Sequence, residues 1–166
     1  ADISAPTLTS VTASRTSVDV SSGAQVVGVT IKASDLSGVR WGRSNIRMTH
    51  SSGTSTLNKW LYGGNSQSVV SADRTSQTFY FIFAPDDVVG DYTLDYLYLY
   101  DNLDNGANVI SGNEITISLT GGESAGSADI SAPTLTSVTA SRTSVDVSSG
   151  AQVVGVTIKA SDLSGV

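Results

Sequence analysis

The sequence predicts an all-β fold: a β-sandwich present as one complete module and the opening of a second. Three observations carry this reading. Apolar residues alternate with period two in short stretches, which sends neighbouring side chains to opposite faces of a strand. Turn residues separate these stretches at the spacing of sandwich strands, and no stretch sustains a helical period. Finally, the 39 residues Ala1 to Val39 recur letter for letter as Ala128 to Val166, an offset of 127. Solenoid repeats have periods of about 20–50 residues. A period of 127 is the size of a domain, so each repeat carries its own core. Packing alone tolerates conservative swaps, so perfect identity points to recent duplication. The expected organisation is a complete module over 1–120, a linker over 121–127 and the first strands of an identical module over 128–166, excised from a longer array.

The elements follow in order. Leu8 to Val11, then Val18 and Val20, give a split first strand. Val27, Val29, Ile31 and Ala33 alternate cleanly and give the second. Val39 to Met48 gives the third, with Trp41 as a candidate core aromatic. Thr49 to Thr56 is polar and reads as loop. Lys59 to Tyr62 is a short strand, Phe79, Phe81 and Phe83 mark the next, Tyr92 to Tyr100 another, and Ile115, Ile117 and Leu119 the last. This is the strand pattern of an immunoglobulin-like Greek-key sandwich. The stretch from Tyr92 has one irregularity. Tyr92 and Leu94 share a face, but the next apolar pair is Leu97 and Leu99. A bulge at Asp95–Tyr96 restores the inward set. Without it Tyr96, Tyr98 and Tyr100 point inward instead. The bulge is the favoured reading. Tyr92, just after a glycine turn, fits a tyrosine corner, whose hydroxyl bonds back to nearby backbone; a core tyrosine with a wet hydroxyl is the alternative.

Composition narrows the function. There is no cysteine, so disulfides and thiolate sites are excluded. A secreted protein without disulfides must stabilise its modules otherwise, and bound metal is one way. The net charge is −6 and the nine basic residues form no dense patch, which argues against nucleic acid as a partner. No apolar run approaches membrane-spanning length, so membrane insertion is not expected. Thirteen Asp stand against two Glu. Glu solvates a surface equally well; Asp is favoured where a short carboxylate sits in a turn or ligates Ca²⁺.

In such a sandwich the aspartates collect at the two ends. At the end where the chain enters lie Asp2, Asp35 and the loop Asp101-Asn102-Leu103-Asp104-Asn105. These come from three separate stretches that converge only in the fold. Ca²⁺ takes six to eight hard oxygen ligands, and unpaired carboxylates repel each other, which drives cation binding. At the exit end are Asp86 and Asp87, with Asp91 close by. In an array they face the next module's Asp129 and Asp162, the copies of Asp2 and Asp35, so an ion there would bridge modules and stiffen the linker. The same clusters are also ordinary turn formers, and DNLDNG can be a long hairpin turn. It is not an EF-hand loop, because DNLDNGANVISG lacks the acidic twelfth residue. Asp19 and Asp146 read as turn residues only.

The opening 39 residues resemble a bacterial Ig-like repeat family in D-x-x-A-P-x-L, S-V-D-V-S-S-G, the alternating strand and A-S-D-L-S-G-V. The likeness continues in G-D-Y-T-L and in D-N-x-D-N-G-A-N, which is similar to the family's D-x-x-G-N loop with Asp104 and Asn105 as extra residues. Trp41 to Ala84 carries no part of it. Such modules are similar to the extender repeats of large calcium-dependent RTX surface adhesins of Gram-negative bacteria. The resemblance implies an extracellular stalk on the bacterial surface that projects a ligand-binding tip. It also implies Ca²⁺ near the module junctions, held by Asp2, Asp35, Asp101 and Asp104, with Asp129 and Asp162 as copies of the first two.

Other chemistry is weaker. His50, the only histidine, sits in a polar stretch without a cysteine partner and reads as solvated loop. Gly122-Glu-Ser-Ala-Gly126 matches the nucleophile-elbow pattern, but that motif needs a strand before it and a helix after. Asp86 and Asp87 are adjacent, unlike the flanking carboxyl pair of a glycoside hydrolase. No enzyme is expected. The leading expectation is a structural extender whose partners are neighbouring identical modules of the chain. The rival is a surface module that itself binds glycan or protein through Trp41, Arg43, Arg47, Trp60, Tyr62 and the Tyr96–Tyr100 row; the bland alternative places both tryptophans in the core. Residues 128–166 lack the rest of a sandwich. They are either disordered or able to replace residues 1–39 of a neighbour in a strand-swapped, head-to-tail chain.

Overall fold

The computed structural model describes residues 2–124 and 132–161. The chain divides into two units, Ala1–Gly126 and Ser127–Val166. Among the described residues the first holds ten strands: β1 Thr7–Ala13, β2 Ser17–Asp19, β3 Gln25–Ser34, β4 Asn45–His50, β5 Lys59–Tyr62, β6 Ser68–Val70, β7 Ser76–Phe83, β8 Gly90–Tyr100, β9 Gly106–Asn108 and β10 Thr116–Thr120. The fold is all-β. One sheet has the order β1-β3-β7-β6 and the other β2-β10-β8-β4-β5, with β9 paired to β8. Among the described strands β2 and β10 pair in parallel and the other ladders are antiparallel, with one further parallel bridge between Val88 and Glu123.

The two sheets share one core. Val27, Val29 and Ile31 from β3 and Phe79, Phe81 and Phe83 from β7 cluster with Ile46, Met48, Leu94, Leu97, Leu99 and Ile117 of the other sheet. The period-two pattern written in these strands is therefore the burial pattern of the fold. The bulge in β8 is present. Arg47 pairs with Tyr96 and Met48 with Leu94, which leaves Asp95 as the extra residue. Tyr92 and Leu94 on one side of it and Leu97 and Leu99 on the other are all buried. Arg47 closes the bulge with two hydrogen bonds to Asp95 (3.0 and 2.8 Å), and Thr49 adds a third at 2.8 Å. Partial burial pushes the Asp95 carboxyl up, but these donors outweigh it and hold the group below the usual carboxylate range.

Several elements differ from expectation, each for a local reason. The third strand begins at Asn45 rather than Val39, because Trp41–Arg43 forms a single 3₁₀ turn. That turn lets Trp41 bury its ring while its Nε1 donates to the Arg74 carbonyl at 2.8 Å. β4 then runs on to His50, which the alternation turns inward. His50 is not solvated loop: it is buried, stands edge-on to Tyr92 at 4.8 Å and lies within hydrogen-bonding distance of Ser52 and the Val89 carbonyl. β5 adds to β4 at the edge of its sheet, and the strand that lines β7 is β6. At three residues, β6 is too short to show a period. Trp60, on β5, is exposed, so only Trp41 of the two tryptophans is core.

Gly121 to Glu123, placed in the linker by composition, are held against the module. Glu123 N donates to the Asp87 carbonyl and Val89 N to the Glu123 carbonyl (2.9 and 2.7 Å). Gly121 has φ +72, and a Cβ there would meet Asp19 Oδ1 at 2.2 Å. The second unit contains β11 Thr134–Ala140 and β12 Val156–Ser161. Their register repeats that of β1 and β3 position for position, including the shift between Leu135 and Ser137 that matches Leu8 and Ser10. Val156 and Ile158 are exposed, whereas their counterparts Val29 and Ile31 are buried.

The Tyr92 hydroxyl donates to the Val88 carbonyl at 2.9 Å, completing the tyrosine corner. Burial, helped by the charge of Asp87, pushes the phenol up to about 12, against about 10 when unfolded. Its contribution is thus present below about pH 10 and lost as pH rises toward 12. Tyr92→Phe is expected to cost about 1 kcal/mol at neutral pH and to lessen the alkaline loss of stability, as read by urea unfolding between pH 7 and 11.

Candidate metal centre

Three chain segments meet beyond the end of β8. Asp2 precedes β1, Asp35 follows β3 and Asp101 follows β8. Each offers a carboxylate oxygen, and these oxygens lie within 4.8 Å of one another. The antiparallel order brings them together: β3 and β8 both run toward this end, and β1 starts there. Val39 bridges to Asp101, and Arg40 N donates to the Tyr100 carbonyl at 2.7 Å, tying the loop after β3 to the end of β8.

Asp101 is fully buried and organises the loop after it. Its Oδ1 accepts from Leu103 N (2.9 Å) and Asn105 N (2.7 Å). Its Oδ2 accepts from Asn105 Nδ2 at 2.7 Å and lies 2.9 Å from Ser37 Oγ. Burial pushes this carboxyl up, but the bonds from Asn105, Ser37 and Leu103 outweigh it, so the group lies below the usual range. Asp35 Oδ1 accepts from Ser37 N at 2.8 Å and also lies 2.8 Å from Ser37 Oγ. Ser37 has one hydroxyl proton and two carboxylates beside it, so it satisfies one of them at a time. Asp2 Oδ1 accepts from Ser4 N at 3.0 Å, while its Oδ2 is buried without a hydrogen-bond partner.

The arrangement fits a hard divalent cation. Ligand oxygens at about 2.3–2.6 Å from one Ca²⁺ lie up to about 5 Å apart, and the three carboxylates meet that limit. The donors are all oxygen, which suits Ca²⁺ or Mg²⁺ rather than a thiophilic metal. The ion pairs among the described residues are Arg40–Asp104, Arg43–Asp104, Arg47–Asp95 and Lys59–Asp87. None of them neutralises the triad. The unpartnered Asp2 Oδ2 and the over-shared Ser37 proton are both relieved by a cation.

Asp104 stands apart. It has φ +70 and is held by Arg40 and Arg43, so the extra residues of the loop turn this carboxylate away from the triad. Asn102 donates its amide to the Ser37 carbonyl at 2.8 Å and braces the loops. Asn105 presents Nδ2 to Asp101 and, at 3.2 Å, to the Asp2 carbonyl; rotating the amide by half a turn would present its oxygen instead. Asp86 and Asp87 precede β8, so the 11 residues of that strand separate them from Asp101, about 35 Å of extended chain. Asp86 is exposed, and Asp87 is committed to Lys59 Nζ, with both oxygens at 2.8 Å, and to Ala84 N. Asp129 and Asp162 lie outside the described residues. Ser37 and Gly38 were missed by the sequence reading, although S-D-L-S-G is a legible turn.

No family model and no curated protein matches the chain. The triad is therefore judged on its own geometry.

Gly38 has φ +86, and a Cβ there would meet Asn102 Nδ2 at 2.8 Å. Gly38→Ala is expected to cost about 1–2 kcal/mol and to displace the Asn102 brace, read as a fall in melting temperature. Because Asp101 lies below the usual range, its contribution is present above the unfolded carboxylate value near 4 and is lost as pH falls through the lower folded value. Asp101→Asn is expected to be less stable at pH 7 and to lose less stability between about pH 4 and pH 2, as read by acid titration of circular dichroism.

Proposed function

We infer that this chain is a structural extender module of a secreted bacterial surface adhesin, stacked in tandem and rigidified by Ca²⁺. The role is mechanical and involves no turnover. The observation that carries the reading is the convergence of Asp2, Asp35 and Asp101 with a buried, unpartnered oxygen on Asp2. Three distant segments close a hard-cation site at the end of the module where a preceding module would join. The strand order of the two sheets supports an immunoglobulin-like Greek key, and the literal recurrence of Ala1 to Val39 supports a tandem array of such modules. No described helix is long and apolar enough to cross a membrane.

The ion stiffens the module by fixing the segment before β1 to two loops of the same unit. The covalent path into the module then has one direction instead of many. At the far end the backbone performs the same task without metal, since Glu123 is hydrogen-bonded to the loop before β8. Asp86 and Asp87 are the weaker half of the expected inter-module bridge, because Lys59 already neutralises Asp87. Strand exchange through residues 128–166 is a second route to association, favoured by the exposed apolar side chains of β11 and β12.

Thermal unfolding with and without chelator tests the calcium reading. At a hundredfold excess over Kd, Ca²⁺ is expected to add about 2.7 kcal/mol of stability. Asp2→Asn and Asp35→Asn are each expected to remove that gain while leaving the melting temperature in chelator within a few degrees of the parent. An unchanged melting temperature in millimolar Ca²⁺ would overturn the reading.

A further inference from the structure

The outer face of the β4–β5–β8 sheet carries an aromatic floor that neither the core nor the metal centre uses. Trp60 and Tyr62 project from β5, and Tyr96, Tyr98 and Tyr100 from β8. Successive ring centroids along this row lie 6.3, 5.5, 6.1 and 4.9 Å apart. Trp60 is 42% exposed and Tyr62 52%, which places the largest unburied rings of the module at one end of the row. Arg47 lies over Trp60 at 5.2 Å and Arg43 over Tyr100 at 4.1 Å.

This face is confined. Its other half, nearer the start of β8, carries Asp91, Thr93, Thr49 and Ser118. The aromatics begin only after the bulge at Asp95, a device that re-aims side chains. Gly106 of β9 leaves room for them, since a Cβ there would meet the Tyr98 and Tyr100 rings at 2.6 Å. The rings pack on one another at the surface without covering Trp60, which stays nearly half exposed.

We propose that this face binds a neutral polysaccharide. Exposed rings match the apolar faces of pyranose units, and the tyrosine hydroxyls and the Asn45 amide offer groups for the sugar hydroxyls. The charge balance selects the ligand. Arg47 is paired by Asp95, while Arg43 shares Asp104 with Arg40, so the edge of the floor holds one uncompensated positive charge beside five rings, too little to make a polyanion the ligand. β4 and β8 each have partners on both sides, and a peptide strand added at the free edge of β5 would lie beside the rings rather than over them. The register sets Trp60 level with Tyr96 across Arg47 and Tyr62 level with Tyr98 across Asn45, so the rings form a two-column patch that suits several units of a chain rather than a single sugar. This inference does not rest on calcium, because the floor uses none of the triad.

Native gel electrophoresis of the full chain tests it, with hydroxyethylcellulose, dextran or alginate cast in separate gels and chelator present throughout. Retardation by a neutral polymer is expected under these calcium-free conditions, and it is expected to be insensitive to salt. Trp60→Ala and Tyr62→Ala are each expected to weaken it by about tenfold with thermal unfolding still cooperative, while Tyr80→Ala on the opposite sheet leaves it unchanged. Retardation by neither neutral polymer, retardation by alginate alone, or loss shared equally by Tyr80→Ala would overturn the proposal. So would retardation unaffected by both Trp60→Ala and Tyr62→Ala.

Discussion

The bulge at Asp95 sets the phase of β8, and much of the molecule depends on that phase. Before it Tyr92 and Leu94 point inward; after it Leu97, Leu99 and Asp101 do. Without the extra residue the three tyrosines would occupy the core and Asp101 would face solvent on the outer side. The bulge therefore fixes three things together: a closed apolar core, a buried carboxylate in the aspartate triad and an aromatic outer face. Arg47 and Thr49 stabilise it by giving the Asp95 carboxylate three donors. A half-buried carboxylate needs such partners to remain charged at little cost.

The two ends of the module are built from different chemistry. At the end where the chain enters, polar loops converge around Asp101, which accepts bonds from the loop that follows it and so shapes that loop before any ion is present. The remaining repulsion sits on Asp2 and Asp35. At the exit end the backbone of Glu123 pairs with the loop before β8, and Lys59 neutralises Asp87. One end thus gathers carboxylates that have no ion-pair partner among the described residues, and at the other Lys59 neutralises Asp87.

The triad and the aromatic floor lie in the same unit but draw on separate residues. Asp104 is where they meet. Its loop belongs to the metal end, yet its carboxylate pairs with Arg43, which lies over Tyr100. The residues that lengthen this loop thereby keep a carboxylate out of the triad and place it between Arg40 and Arg43 at the edge of the floor.

The amino-acid sequence by itself determined the strands whose alternation is long and unbroken, β3, β7 and β8, together with the bulge, because period-two burial is a local property of the chain. The tyrosine corner and the grouping of Asp2, Asp35 and Asp101 were legible for a related reason: glycine turns and strand direction decide which loops share an end. Tertiary structure alone decided the rest. Trp41, a core candidate from the sequence, reached the core through a 3₁₀ turn instead of a strand, and His50 was buried because β4 continued into a polar stretch. β6 was too short to carry a period of its own. Asp104 and Asp87 left the set of free ligands because Arg40, Arg43 and Lys59, remote in sequence, came within reach of them. A carboxylate's partner depends on distances across the fold, and no spacing along the chain encodes those.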